Sequence, residues 1–191
     1  MATRGRRPGL SSTRQEILAA ARLLFAQRGY QATTMRAIAA EAGVNAALLH
    51  HYYGSKEQLL VAAMNLPLNP PERIRELRDA GPREQLGERI VRFFVQAWRN
   101  PETGPPLQAL LRAAASSDAG AATMRQFVEN VMFPRLSSLL GVPQLRLSGA
   151  FAQLIGYALG ATVIGVEPLA SASEDELVAL LAPSVQRYLD R

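Results

Sequence analysis

Between residues 13 and 60, helix-starting and helix-stopping residues alternate so closely that only short helices fit between them. Thr13 and Glu16 have the spacing of a capping box. Ile17, Ala20, Ala21, Leu24 and Phe25 then recur at three and four residues as one apolar face. Gly29 is placed to end that helix, which is expected from about Thr13 to Arg28. Thr33 and Thr34 offer caps for a second helix through Ala42, stopped by Gly43. Asn45 opens a third, AALLHHYY, closed by Gly54, and Ser55 with Gln58 opens a fourth. Two short helices joined by a glycine-containing turn are the pattern of a helix-turn-helix.

Charge singles out the same segment. Before position 61, Arg4, Arg6, Arg7, Arg14, Arg22, Arg28, Arg36 and Lys56 are opposed only by Glu16, Glu41 and Glu57. The whole net charge of +5 therefore sits in the first third, and the rest of the chain is balanced. A cationic segment joined to a neutral one suits a polyanion, either nucleic acid or an anionic membrane surface. Residues 1–10, basic and rich in Gly and Pro, read as a flexible arm suited to lie along DNA. No apolar stretch follows those early arginines, so they do not read as a secretory signal, and a soluble cytoplasmic protein is expected.

Downstream the pattern stays helical, which makes the chain all-α. Helices are expected over ERIRELRDA, from Pro82 to Arg99, from Leu107 to about Ser116, from about Ala119 to Leu140, over 146–166 and over 174–190. Residues 100–106 read as a loop. Pro134 is expected to bend its helix and Pro183 to distort the last one, which Ser173 and Glu176 cap. Leu147–Val166 has no charge and the length of a bilayer span, but its glycines and polar residues dilute it. It reads better as a helix buried all round, with Gly156 and Gly160 permitting close helix contact.

Catalytic chemistry finds little material. Cysteine is absent, the two histidines are adjacent, and no GxSxG, HExxH or phosphate-binding glycine loop occurs. Neighbours on a helix point about 100° apart, so His50 and His51 cannot easily share a metal ion. No catalytic residue, metal or cofactor is expected. The helix-turn-helix instead suits duplex DNA, whose major groove admits a helix. Asn45, Ala46, Ala47, His50 and His51 fall on its outer side, with Tyr52 beside them. Small alanines permit contact with a thymine methyl, and His51 can donate to guanine. Thr33 and Thr34 at a helix start, and Lys56 at the first turn of the fourth helix, suit phosphates.

The run from Ile17 to Leu60 resembles the DNA-binding domain of TetR-family transcriptional regulators. The matching residues include Ala20, Leu24, Phe25, Gly29, Tyr30, Thr33, Thr34, Ile38, Ala42, Gly43, Val44, Leu49, His51, Lys56 and Leu59. The family commonly has Tyr where His50 stands and Phe where Tyr53 stands. Arg36 matches a position that reads a base or touches a phosphate. The resemblance implies a DNA-binding domain, here 11–54, and a helical effector-binding and dimerisation domain, here 55–191. It also implies homodimerisation and release from DNA when a small effector binds.

For that effector, Phe94, Trp98, Met124, Phe127, Met132, Phe133, Phe151 and Tyr157 are the expected walls, which points to an apolar ligand. Phe151, Ile155, Gly156, Leu159, Gly160, Leu177, Leu181 and Tyr188, on the last two helices, are the expected dimer surface. A repressor of a pseudo-palindromic operator follows from these readings. The alternative is a sequence-tolerant architectural DNA-binding protein, because the reading helix has few polar side chains.

Overall fold

The computed structural model describes residues 10–66 and 69–190, and every regular element among them is a helix. The basic arm expected at the start falls almost wholly on residues 1–9, outside the described residues. Two compact units divide between Asn65 and Leu66.

The N-terminal unit holds α1 (Leu10–Ala32), α2 (Met35–Glu41), α3 (Ala46–Tyr53) and α4 (Lys56–Ala63). α1 starts at Leu10, so Thr13 lies inside the helix and does not cap it. Gly29, at φ 77, breaks the helix where the sequence places a stop, and a short helical stretch follows the kink. The core has the expected face: Ile17, Ala21 and Phe25 of α1 are fully buried, together with Ile38, Leu49, Leu59 and Leu60. α4 belongs here, against the expected boundary after Gly54. Its Leu59 and Leu60 need an apolar partner, which α1 provides, and the Arg22 Nε donates to the Ala63 carbonyl at 2.7 Å.

The C-terminal unit holds α5 (Pro70–Asp79), α6 (Leu86–Arg99), α7 (Gly104–Ser116), α8 (Asp118–Phe127), α9 (Phe133–Leu140), α10 (Gln144–Ala158) and α11 (Glu174–Leu189). The expected loop over 100–106 is shorter, because Pro105 and Pro106 enter the first turn of α7, where their missing N–H costs nothing. A π-type turn, Val128–Met132, joins α8 to α9 just before Pro134. Widening the helix there accommodates a ring that clashes with the preceding turn and cannot donate to it. By contrast α11 runs unbroken through Pro183.

α6 and α11 pack most extensively. Gly87 is buried where they cross, and a Cβ there would lie 2.7 Å from the Gln186 backbone nitrogen. Gln186 also caps the start of α6: its Oε1 accepts from Gly87 N at 2.7 Å and its Nε2 donates to Arg83 O at 3.1 Å. Near the other end of the pair, Arg92 bridges Glu174 at 2.9 Å and Asp175 at 2.8 Å. The Ser173–Glu176 capping box forms as expected, and hydrogen bonds from the Ser173 hydroxyl and backbone hold the Glu176 carboxyl below its ordinary range.

α10 and the π-type turn after it (Leu159–Ile164) form a helix long and apolar enough to cross a membrane, yet only 33% of its most apolar window is buried. The expectation of burial all round is therefore corrected. Ala152, Gly156 and Leu159 are exposed at helical spacing, and among the described residues nothing beyond its chain neighbours and its own helix backbone comes within 4 Å of a Cβ built on Gly156. The close helix contact uses another glycine. Gly149 admits the Tyr188 ring of α11, whose edge would lie 2.5 Å from a Cβ.

Candidate functional site

The turn between α2 and α3 is built from local capping. Thr34 Oγ1 accepts from Ala37 N at 3.1 Å, and Asn45 Oδ1 accepts from Ala47 N at 2.8 Å. Between them Gly43 takes φ 64, a left-handed conformation that suits glycine. Ile38 and Leu49 bury the inner sides of the two helices. Thr34, Arg36, Asn45, Ala47, His50 and His51 are left exposed, with Ala46 and Tyr52 half-buried.

This outer surface carries polar groups of distinct kinds. The guanidinium of Arg36 matches phosphate or guanine. Asn45 has spent its oxygen on the cap, so its amide nitrogen is the group left to donate. His50 Nδ1 lies 3.0 Å from the Gly54 carbonyl, which can only accept. Nδ1 therefore carries the hydrogen and Nε2 is left to meet a ligand. His51 packs on Tyr52 with centroids 5.8 Å apart, and the Arg14 guanidinium lies 5.2 Å over the Tyr52 ring. Exposed Arg14 thus joins the surface from α1. Site reasoning from sequence missed it, although the charge asymmetry included it. Burial pushes the Tyr53 phenol above its ordinary value, against the opposing pull of Arg14.

Two residues expected at phosphates are engaged inside the chain. Thr33 is fully buried, and its hydroxyl is shared between the carbonyls of Gly29 (2.7 Å) and Leu24 (3.1 Å). Thr33 thereby ties the chain after the Gly29 kink back to the helix before it. Lys56 is half-buried and bends back over the same place. Its Nζ donates to Tyr30 O at 2.9 Å and Thr33 O at 3.1 Å, and sits 4.2 Å from the Tyr30 ring centroid. Lys56→Ala is therefore expected to cost about 1–3 kcal/mol of stability in thermal or urea unfolding. The slope of DNA affinity against salt should stay as in the parent protein; a slope smaller by about one would restore Lys56 as a phosphate contact.

In the C-terminal unit α5–α11 enclose a cavity of roughly 180 Å³, and every side chain lining it is hydrophobic. Of the residues expected at the effector, Phe94, Trp98, Met124, Phe127, Met132, Phe133 and Phe151 line it. Tyr157 does not. It is buried edge-on to Phe94, with centroids 6.4 Å apart. Aliphatic walls such as Leu110, Leu136 and Leu154 were missed, because a leucine facing a void has the same spacing as one in a filled core.

The expected dimer residues separate into groups. Leu177 and Leu181 are buried inside the chain, so they belong to its own core. Phe151 and Ile155 line the cavity, and half-buried Tyr188 fills the notch at Gly149. Gly156 and Leu159 are exposed and Gly160 is half-buried, while Leu180 is 60% exposed.

Comparison with known families gives independent evidence. The model for tetR-family bacterial regulatory proteins matches residues 17–63, the four-helix unit with its exposed α3. The model described as the tetracyclin repressor-like C-terminal domain matches residues 84–189, more than half of the chain. The chain belongs to the TetR family. Its family is one of transcriptional regulators.

Among relatives of this TetR-family chain is the HTH-type transcriptional regulator BetI of Agrobacterium fabrum, 39% identical over 93 residues. That match covers 47% of this chain and 45% of the relative. BetI of Rhizobium meliloti is 38% identical over 105 residues, covering 50% and 49%. The chain thus spans about half the length of the curated relatives it matches. A solved TetR-family regulator from Streptomyces coelicolor A3 is 34% identical, with 97% of this chain and 99% of that one covered, at a TM-score of 0.46.

Proposed function

We propose that this regulator is a cytoplasmic homodimeric repressor that holds a pseudo-palindromic operator and leaves it when a small, largely apolar effector enters the C-terminal cavity. The observation that carries the reading is the outer surface of α2 and α3. Arg36, Ala47, His50 and His51 are exposed on helices whose inner residues, Ile38 and Leu49, are fully buried. A short helix seated that firmly can enter a major groove without melting. The continuous apolar lining of the cavity supports the choice of effector. The exposed strip of Ala152, Gly156 and Leu159, and exposed Leu180 of α11, support pairing of two copies through these helices.

The test is a mobility-shift titration on an inverted repeat from the promoter DNA beside its own gene, with a scrambled duplex in parallel. Tight, salt-sensitive binding to the repeat alone is expected. Arg36→Ala should weaken it by about 1–3 kcal/mol without unfolding the protein. Equal affinity for the scrambled duplex would favour the sequence-tolerant architectural binder, which the small Ala46 and Ala47 side chains allow.

A further inference from the structure

The apolar cavity shares two walls, Phe93 and Ala97, with a second hollow of opposite character. This neighbouring groove is bordered by Asn69, Glu72, Arg73 and Glu76 of the α5 region, and by polar residues at the end of α6 and the turn after it. Its donors are largely committed elsewhere. Arg73 is paired with Glu76 at 2.5 Å and lies 5.2 Å over the Phe93 ring. Gln96 Nε2 donates to Glu174 at 3.0 Å, and the Thr103 hydroxyl donates to Ala97 O at 2.6 Å.

Of its acceptors, Glu76 is held by Arg73 and Asn100 Oδ1 by the Glu102 and Thr103 N–H groups, while the side chains of Asn69 and Glu72 are uncommitted among the described residues. Asn69 precedes α5 without forming a side-chain cap, and its Oδ1 is buried with no hydrogen-bond partner among the described residues. Glu72, exposed in the first turn of α5, makes no ion pair among those residues. With Arg73 already matched by Glu76, the border carries one unbalanced negative charge. An unmatched carboxylate bordering the groove favours a cationic N–H donor over an anion.

We infer that the effector is an amphiphile whose apolar body occupies the cavity and whose protonated amine head lies in this groove, beside Glu72, with Phe93 at the junction. The inference rests on the effector reading of the cavity and adds the polarity and charge of the ligand's head. Phe93 with its stacked Arg73 then marks where the apolar and polar parts of the ligand meet.

The experiment titrates the full chain with octylamine, octanol and octanoate near pH 7, below their aggregation limits. It follows the emission of Trp98, the chain's single tryptophan and a cavity wall, with calorimetry alongside. Octylamine is expected to bind about fivefold or more tightly than octanol, and octanoate most weakly, as befits a charge-assisted contact at a partly exposed site. Glu72→Gln should remove most of the preference for the amine over octanol. Equal affinity for all three, tighter octanoate, or an amine preference untouched by Glu72→Gln would overturn the head assignment and leave the cavity reading standing. Failure of all three to bind would overturn the cavity reading, and this inference with it.

Discussion

An Ala47→Glu variant is expected to lose operator binding by a hundredfold or more while keeping its fold. Ala47 is exposed in the first turn of α3, and its backbone N–H is held by Asn45 Oδ1. A carboxylate at that place has two effects of opposite sign. Within the protein it meets the positive end of a helix, which favours it by some tenths of a kcal/mol. Against DNA it meets phosphates and the acceptor-rich edges of the groove, and like charges so placed cost several kcal/mol. Fluorescence anisotropy on a labelled operator, with circular dichroism as the folding check, separates the two. An unchanged operator affinity in the folded variant would put α3 outside the groove.

Gly87→Ala is expected to destabilise the C-terminal unit by about 1–3 kcal/mol or more, the usual cost of overpacking. In a chain of this size that lowers the melting temperature by roughly 3–10 °C. The three nearest heavy atoms to the added methyl would lie 2.7–2.9 Å away, and two of them are backbone atoms of Gln186. A side-chain tip could move aside; the axis of α11 cannot do so without carrying its neighbours. Separation of the helices would also strain the Gly87–Gln186 hydrogen bond at 2.7 Å. The same substitution at Gly156 meets nothing within 4 Å, so it should leave the folded chain intact, and any effect would report on pairing between copies. Scanning calorimetry of both variants provides the check; an unaltered melting curve for Gly87→Ala would mean that α6 and α11 have room to spare.

What could be read in advance was local. Thr34, Asn45, Ser55 and Ser173 cap helices as their spacing implies, because a cap needs only the next two or three residues. Gly29, Gly43 and Gly54 take the positive φ values that end or bend their segments. The exposed surface of α2–α3 follows from the same short-range pattern. Contacts reaching farther along the chain were not legible. Thr33 and Thr34 are identical neighbours, yet one caps α2 and the other is buried at the kink in α1, a distinction fixed by a carbonyl nine residues upstream. Lys56 reaches a carbonyl 26 residues away. Leu177, Leu180 and Leu181 are one residue type on one helix, and only the packing of neighbouring helices leaves Leu180 outside. The cavity was visible through its aromatic residues and hidden where its walls are aliphatic.

The arginines of the C-terminal unit are largely committed to its own backbone and carboxylates. Arg83 holds the carbonyls of Leu140 and Leu189, Arg89 those of Leu77, Gly81 and Pro82, and Arg99 that of Ala172, while Arg92 is paired with three acids. The arginine-to-carbonyl hydrogen bonds among these are far less sensitive to salt than a hold on phosphates, which depends on releasing bound ions. If the proposed operator is held through phosphates, raising the ionic strength should release DNA before it unsettles the C-terminal bundle, so the two halves of the chain would answer to salt on different scales.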